Sequence, residues 1–520
     1  MSTMVPSLLT QFGHKVKTLE ELTALLGRPP RRRTVIMCHG VFDVVHPGHL
    51  RHLVYARSKA DILVASLTAD QHITKGTYRP HVPQELRALN LAAFELVDYV
   101  LIDPNDKPLE VLRTLQPDFF AKGYEYNASG VHPKTREEMA VISAYGGNVL
   151  FTPGDIVFSS SRLLESEPPN LRMEKLLTLM EASGLSFDGL RRLLDGFGGR
   201  RVHVVGDTIV DSLTQCAMIG SQTKTPTMSV LFQERLDFVG GAAIVAQHMR
   251  AAGANVAFST VLGDDALKAF VLGTLEASGI ETHAIIDPTR PTTNKNAIVA
   301  GNYRLLKIDT VDNSTITDPI RNRLAQSIAS VSTEAVVFSD FRHGIFNRRT
   351  IPPLIGAIPA DCFRVADSQV ASRWGNITDF KGFDLITPNE REARFALGDQ
   401  DSGVRPLTSA LYDAAHCKVL ILKLGDRGVI TCRSPDHHAI DSFFVVDSFV
   451  DSVVDPVGAG DALLAYATLA LMTSADPVAA TILGSLAAAV ECEVDGNVSV
   501  RPEDVHAKID AVEKRGCYES

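Results

Sequence analysis

The chain has 520 residues, of which 45% are hydrophobic and 22% charged, with a formal net charge of −10. At roughly 100–200 residues per domain this is enough for two to four domains with real cores, so wholesale disorder is excluded. The acidic balance argues against nucleic acid as a partner, although local basic clusters can still hold small phosphorylated ligands.

The first 33 residues read as a helical extension. Helical periodicity over 17–27 stops at Gly27, and Pro29-Pro30-Arg31-Arg32-Arg33 punctuates the chain. A short apolar run over 34–38 predicts a buried strand. Further strands follow at 62–67, 99–102, 119–121 and 148–151, with helices at 50–59, 84–94, 109–115 and 134–145. Alternation at this spacing implies a parallel sheet covered by helices, ending near residue 165. Ser166-Glu-Pro-Pro-Asn170 breaks the pattern. Helices at about 171–182 and 186–196 make 166–200 a linker segment. A second α/β series occupies 201–520, with strands at 201–205, 335–338, 363–366, 385–387 and 419–424. The fold class is α/β, in two domains.

Seven cysteines, at 38, 216, 362, 417, 432, 492 and 517, include no C-x-x-C pair. That points to a reducing compartment rather than a disulfide framework or zinc ribbon. The N-terminus lacks the basic and apolar regions of a signal peptide. The apolar stretch 462–490 is interrupted at 473–477, leaving two pieces shorter than the ~20 residues that span a bilayer. A cytoplasmic protein with no membrane partner is expected.

Two constellations carry chemistry. In the first block, His39-Gly40-Val-Phe42-Asp43-Val-Val-His46-Pro-Gly48-His49 directly follows the first strand and opens a helix. A helix N-terminus collects unpaired N–H donors and suits a triphosphate. Two imidazoles there can donate to phosphate oxygens as charge builds, and Gly40 and Gly48 let backbone approach the nucleotide. A zinc pair or surface histidines would use the same residues differently. In the second block, Gly458-Ala459-Gly460-Asp461 precedes an apolar helix. Its N–H groups form a cradle for a migrating phosphoryl group, beside a carboxylate that can accept a hydroxyl proton. A glycine turn capped by Asp461 is the plainer alternative.

The pattern G-x-F-D-x-x-H-x-G-H resembles the signature of the HxGH nucleotidyltransferases of the cytidylyltransferase-like superfamily, so 34–165 is expected to be a Rossmann-like domain of that kind. Lys75-Gly76 with Arg79-Pro80, Arg87, Lys122-Gly-Tyr-Glu-Tyr126 and Ser159-Ser160-Ser161 resemble its supporting motifs. The resemblance implies a catalytic role for His46, His49 and Lys75, and nucleotide binding by Gly40, Phe42, Asp43, Gly48, Lys122 and the three serines. It also implies substrate binding by Arg87. His39 departs from the Asn or Tyr of many relatives.

The second block resembles the ribokinase-like sugar kinases. Its matching segments include Gly206-Asp207-x-x-x-Asp211, Gly240-Gly241, Asn389-x-x-Glu392, Gly425-x-x-Gly428 and the G-A-G-D turn. The resemblance makes Asp461 the base and Gly458, Ala459 and Gly460 the anion hole. Asn389, Glu392, Gly425 and Gly428 fall on the nucleotide, with Glu392 organising magnesium indirectly. Asp207, Asp211, Gly240, Gly241 and Lys295 fall on the sugar. The pair of domains resembles the bifunctional enzymes of ADP-heptose synthesis, with the transferase placed first here. That implies magnesium, ATP for the kinase, ATP or CTP for the transferase, sugar phosphate substrates and a homo-oligomer, a dimer by analogy. Departures are Ile244 for an asparagine, Gln369 for a lysine, and Pro456 in the D-P-V-G-A-G-D segment. They leave open a kinase fold kept as a scaffold.

Overall fold

Val35, Ile36, Met37 and Cys38 are all fully buried and begin strand β1 (Val35–Gly40). A strand covered on both faces needs such a continuous apolar run rather than alternation. The computed structural model describes residues 8–45, 47–73, 80–123, 133–152, 172–221, 228–301, 303–370, 374–496 and 498–519. It divides into two compact units, the first running to Ala182 and taking in His438–Ile440, the second comprising Ser183–His437 and Asp441–Glu519.

In the first unit, β1 joins β2 (Ile62–Thr68), β3 (Tyr99–Asp103), β4 (Phe119–Gly123) and β5 (Asn148–Thr152) in a parallel sheet of order β3-β2-β1-β4-β5. The helices are α1 (Leu8–Phe12), α2 (Leu19–Leu26), α3 (Pro47–Arg57), α4 (Gln84–Ala92), α5 (Leu109–Leu115), α6 (Pro133–Ala144) and α7 (Arg172–Ala182). Alternate residues of β1 feed two cores. Ile36 and Cys38 pack with Leu53, Ala88 and Leu91, whereas Val35 and Met37 pack with Leu22, Leu112 and Ile142. Strand order reverses at β1, so the crevice beyond the carboxyl ends of β1 and β4 is the place for a ligand.

The second unit opens with α8 (Phe187–Asp195) and then β6 (Arg201–Gly206), β7 (Thr208–Ser221), β8 (Met228–Gly241) and α9 (Ala242–Ala251). Next come β9 (Asn255–Leu262), α10 (Ala266–Ala277), β10 (Glu281–Ile286), β11 (Asn294–Ala300), β12 (Tyr303–Thr310) and α11 (Asp318–Ser330). β13 (Ala335–Asp340), α12 (Ile351–Gly356), β14 (Phe363–Ser368), β15 (Leu385–Ile386), α13 (Glu390–Leu397), α14 (Val404–Ala415) and β16 (Val419–Lys423) follow. β17 (Val429–Cys432), β18 (Phe443–Val446), α15 (Ala459–Ser474), α16 (Pro477–Cys492) and α17 (Pro502–Glu519) complete it.

Nine strands form one sheet, β10-β9-β6-β13-β14-β15-β16-β17-β18, parallel up to β16 and antiparallel beyond. Phe338, Phe346, Phe380 and Phe383 pack on one another beneath it, with neighbouring ring centroids 5.1–6.0 Å apart. The apolar stretch 462–490 forms the paired helices α15 and α16, buried along most of their length. Among the described residues no helix is long and apolar enough to cross a membrane.

A second sheet, β12-β11-β7-β8, stands apart from the nine-stranded one. Sequence reading took the block as one series and missed it. The inward positions of β7 are Ser212, Thr214 and Cys216, and two of them are polar. They are held by hydrogen bonds, Asn294 Nδ2 to Ser212 Oγ at 2.7 Å and Thr214 Oγ1 to Asn296 Oδ1 at 2.8 Å. A buried face made this way leaves no hydrophobic alternation to read.

Candidate active sites

In the first unit His46, Lys75, Ser159, Ser160 and Ser161 lie outside the described residues. β1 delivers His39 and Gly40 to the sheet's carboxyl edge, and α3 carries Gly48 and His49 in its first turn. Between them Phe42 takes a left-handed φ of 49°. Its ring centroid stands 5.2 Å from that of His49, and a Cβ on Gly40 would lie 3.3 Å from Phe42 Cε2.

Three expected ligand contacts turn inward instead. Arg87, assigned to substrate, is 0% exposed. Its Nε donates to Val82 O at 2.9 Å, Nη2 to Thr68 O at 2.9 Å and to Asp70, and Nη1 to Val41 O. It is a staple joining three loops at the sheet edge, with its guanidinium spent on carbonyls and one carboxylate. Asp43 works on the same loops. It is buried, and its Oδ1 accepts from the N–H groups of His81 at 2.8 Å and Val82 at 3.0 Å. Lys122, at the end of β4, closes a buried ion pair with Glu138 of α6 at 2.7 Å. Burial, helped by the Lys122 charge, lowers His39 to about 3 and His52 to about 4, so both rings are neutral at physiological pH.

The second unit gathers its polar groups differently. The parallel strands end in carboxylates and a cation: Asp340 on β13, Asp367 near the end of β14, and Lys423 on β16. Facing them is the turn before α15. Gly458 has a φ of 89°, a left-handed conformation that glycine adopts without strain, and Asp461 N donates back to Gly458 O at 2.8 Å. Asp461 is buried in the first turn of the helix rather than at its cap. Burial above all, then the Asp367 charge, pushes its carboxyl up to about 8, against the pull of Lys423.

Asn389 and Glu392 form a capping box at the start of α13. Asn389 Oδ1 accepts from Glu392 N at 2.8 Å, and Glu392 Oε2 accepts from Asn389 N at 2.7 Å. Burial and Asp367 raise Glu392 to about 7. Gly425 opens the turn after β16. Gly428 (φ 84°) closes it where a Cβ would strike Val446 O at 2.1 Å.

On the small sheet Asp211 of β7 lies directly opposite Lys295 of β11, which lies opposite Asp309 of β12. Burial raises Asp211 and lowers Lys295. Gly241 caps α9 with a φ of 66°, and a side chain there would meet Asp207 O at 2.4 Å; Gly240 is buried beside it. Asp207 does not reach out to a ligand. It is 3% exposed, and its Oδ2 accepts from Phe341 N at 3.0 Å and His343 N at 3.2 Å. The aspartate that ends the first strand therefore shapes the loop after β13. Ile244 is also buried, within α9.

Sequence reading missed Lys423. Gln369 removes a lysine from the segment that begins at Asp367, yet Lys423 Nζ stands 3.3 Å from that same carboxylate. A signal was present. A charged residue directly after the apolar run Val-Leu-Ile-Leu ends a buried strand at the edge where such sheets bind ligands.

Comparison with known proteins gives the families of the two regions. Residues 201–503, more than half of the chain, match the family model of the pfkB family carbohydrate kinases. The chain belongs to that family. Residues 37–160 match the cytidylyltransferase-like family. Among curated relatives, the bifunctional protein HldE of Citrifermentans bemidjiense is 35% identical over 175 residues, covering 32% of this chain and 35% of the relative. The bifunctional protein HldE of Rhodopseudomonas palustris is 29% identical over 328 residues, covering 61% of this chain and 65% of the relative. The chain thus spans less than two thirds of the length of the curated relatives it matches. Phosphofructokinase-2 from Escherichia coli in complex with potassium shares the fold of the second unit, with a TM-score of 0.51 at 15% identity over 61% of this chain and 99% of that one.

Proposed function

We propose that the chain is bifunctional: it phosphorylates a sugar at C1 with ATP, then transfers AMP or CMP from ATP or CTP onto the sugar 1-phosphate. The observation that carries the kinase half is Asp461, a buried carboxyl with a raised pKa on the glycine turn of α15. In that reaction the ionised form of Asp461, which the Lys423 charge favours, accepts the proton of the C1 hydroxyl as that oxygen bonds to the γ-phosphorus. The bond from that phosphorus to the bridging oxygen breaks, and its electron pair leaves on ADP. Asp211 and Lys295 on the small sheet hold the sugar, for which heptose 7-phosphate is the pattern. Asp207 keeps the loop 341–345 in place.

In the transferase half a phosphate oxygen of the sugar 1-phosphate attacks the α-phosphorus of the second nucleotide, and pyrophosphate leaves. His49 at the start of α3 stabilises the charge that develops, together with His46. Arg87, Asp43 and Lys122 build the loops around this site.

Among the described residues no three acidic, imidazole or thiol side chains converge as a metal site of their own. Asp367 and Glu392 are close enough for the first to raise the pKa of the second. Such a pair fits magnesium brought on nucleotide phosphates, which supply most of its ligands together with water. The small sheet exposes Leu231, Phe232, Leu306 and Ile308, and a homodimer through this apolar surface is the arrangement we favour.

The test is Asp461→Asn in the full chain. ADP release with a C1-free sugar should fall by about 10²–10⁴, while pyrophosphate release from supplied sugar 1-phosphate stays at the wild-type rate. If the variant still converts the C1-free sugar to nucleotide sugar at full rate, the kinase assignment is wrong.

A further inference from the structure

The reaction just described does not use Lys423, a buried cation close to Asp461, on the phosphoryl group. Lys423 ends β16 after four buried residues, and its side chain is 16% exposed. It contacts Asp367 twice, Nζ to Oδ2 at 3.3 Å and Nζ to Oδ1 at 3.4 Å. A closed ammonium–carboxylate bond is about 2.7–2.9 Å long, so this pairing is loose on both oxygens. An ammonium also has three protons to place, and both contacts fall on a single carboxylate.

The other side of the lysine faces the phosphoryl cradle. A Cβ added to Gly460 would lie 3.2 Å from Nζ and 3.8 Å from Cδ. The ammonium therefore lies against the glycine turn, at the end of α15 where backbone N–H groups converge. Its charge acts on both Asp461 and Glu392. With Asp367 these make three carboxylates around one lysine. A counter-ion kept only to neutralise them would be expected to close a short bond with one. Nucleotide phosphates brought to this turn add more negative charge, and a cation already placed there favours the phosphoryl group in transit.

We infer that Lys423 is a further catalytic residue of the kinase reaction, its ammonium leaving Asp367 to hold an oxygen of the phosphoryl group as it passes from ATP to the sugar hydroxyl. The inference rests on the kinase reading of this site. The lysine forms and breaks no covalent bond and keeps its protons, and the hydroxyl proton still goes to Asp461.

The experiment compares Lys423→Met and Lys423→Arg with wild type in the full chain. ADP release reads the kinase and pyrophosphate release from supplied sugar 1-phosphate reads the transferase. Lys423→Met should lower kcat for ADP release by about 10²–10³, the usual loss for one such donor, with the KM for sugar within threefold. Lys423→Arg should recover at least tenfold of that loss, because it returns a cation. Pyrophosphate release should match wild type, and circular dichroism should show both variants folded, with a lower melting temperature for Lys423→Met, which leaves Asp367 without its cation. Lys423→Met working within threefold of wild type while Asp461→Asn is inactive would overturn the lysine's role and leave the kinase reading intact. Equal losses in both lysine variants, with the KM for sugar raised, would assign Lys423 to packing and overturn the inference as well. Wild type that releases no ADP with any sugar removes the kinase reading, and the lysine's role goes with it.

Discussion

Both units place their candidate chemistry at the carboxyl edge of a parallel sheet, yet they use buried charge in opposite ways. In the first unit Arg87 and Lys122 are paired inward, and Asp43 is held inward through Oδ1 alone, its buried Oδ2 making no hydrogen bond among the described residues. The arginine meets three carbonyls and Asp70, the aspartate meets two backbone N–H groups, and the lysine meets Glu138. In the second unit Asp461, Asp367, Glu392 and Lys423 crowd together, and the one ion pair among them is long. Full pairing, as at Arg87, marks a scaffold, because its guanidinium is already spent on protein groups. Incomplete satisfaction keeps charge ready for a ligand, at a cost in stability. A sequence motif mixes the two kinds, since both are needed for the site.

The sharpest way to break this contrast is Arg87→Ala. Removing one partner of a buried pair costs about 3–5 kcal/mol, and three carbonyls lose their donor as well. Expected results are a lower melting temperature for the first unit and loss of pyrophosphate release, with ADP release kept. If the variant melts like wild type and only the KM for sugar 1-phosphate rises, Arg87 touches substrate and its place as a staple is wrong.

The parallel sheets were legible because buried strands are short apolar runs bounded by turn residues. β1, β4, β6, β13 and β16 all lie within a few residues of where such runs predict them. The two glycine-bearing turns were legible for a similar reason, since a strand-to-helix junction with glycines leaves few other uses. The small sheet was hidden because β7 buries serine and threonine. The distinction between Asp461 and Asp207 was hidden too. Both are aspartates beside glycines at the start of a new element, and only the loop 341–345, more than 130 residues further along the chain, shows that Asp207 is already occupied. Lys423 was overlooked because no motif contains it, although its place after an apolar run was visible.

A smaller effect should separate the two kinds of buried group by pH. Asp461 has a folded pKa near 8, raised from 3.8, chiefly by burial. A carboxyl of this kind holds its proton in the folded state and releases it when unfolded. Its contribution is therefore fully present at low pH and is lost as pH rises from about 4 towards 8. Asp461→Asn has nothing to ionise. The variant should melt level with wild type near pH 4 and a few degrees above it near pH 8. A variant that melts below wild type near pH 8 would mean that the folded site stabilises the ionised carboxylate.

The smallest effect belongs to His39→Asn, which tests whether an odd residue in a motif is functional or structural. His39 lies opposite Ser66 in the β1–β2 pairing, with Nδ1 3.0 Å from Ser66 Oγ and Nε2 3.2 Å from Thr68 Oγ1. A neutral imidazole has one donor and one acceptor nitrogen and can serve both hydroxyls. The shorter asparagine reaches one of them, so the variant should lose about 0.5–1.5 kcal/mol near pH 8, a shift of a few degrees. Burial lowers the folded pKa from 6.5 to about 3, so the unfolded chain takes up the proton first on acidification. Wild-type stability from this group is then complete above 6.5 and declines as pH falls below it, whereas asparagine has no such loss. The gap between the two melting temperatures should close by about pH 5, and pyrophosphate release should remain within a few-fold of wild type. A gap that widens on acidification would show a charged, paired ring. Loss of transferase activity at unchanged stability would move His39 from the strand pairing into the site.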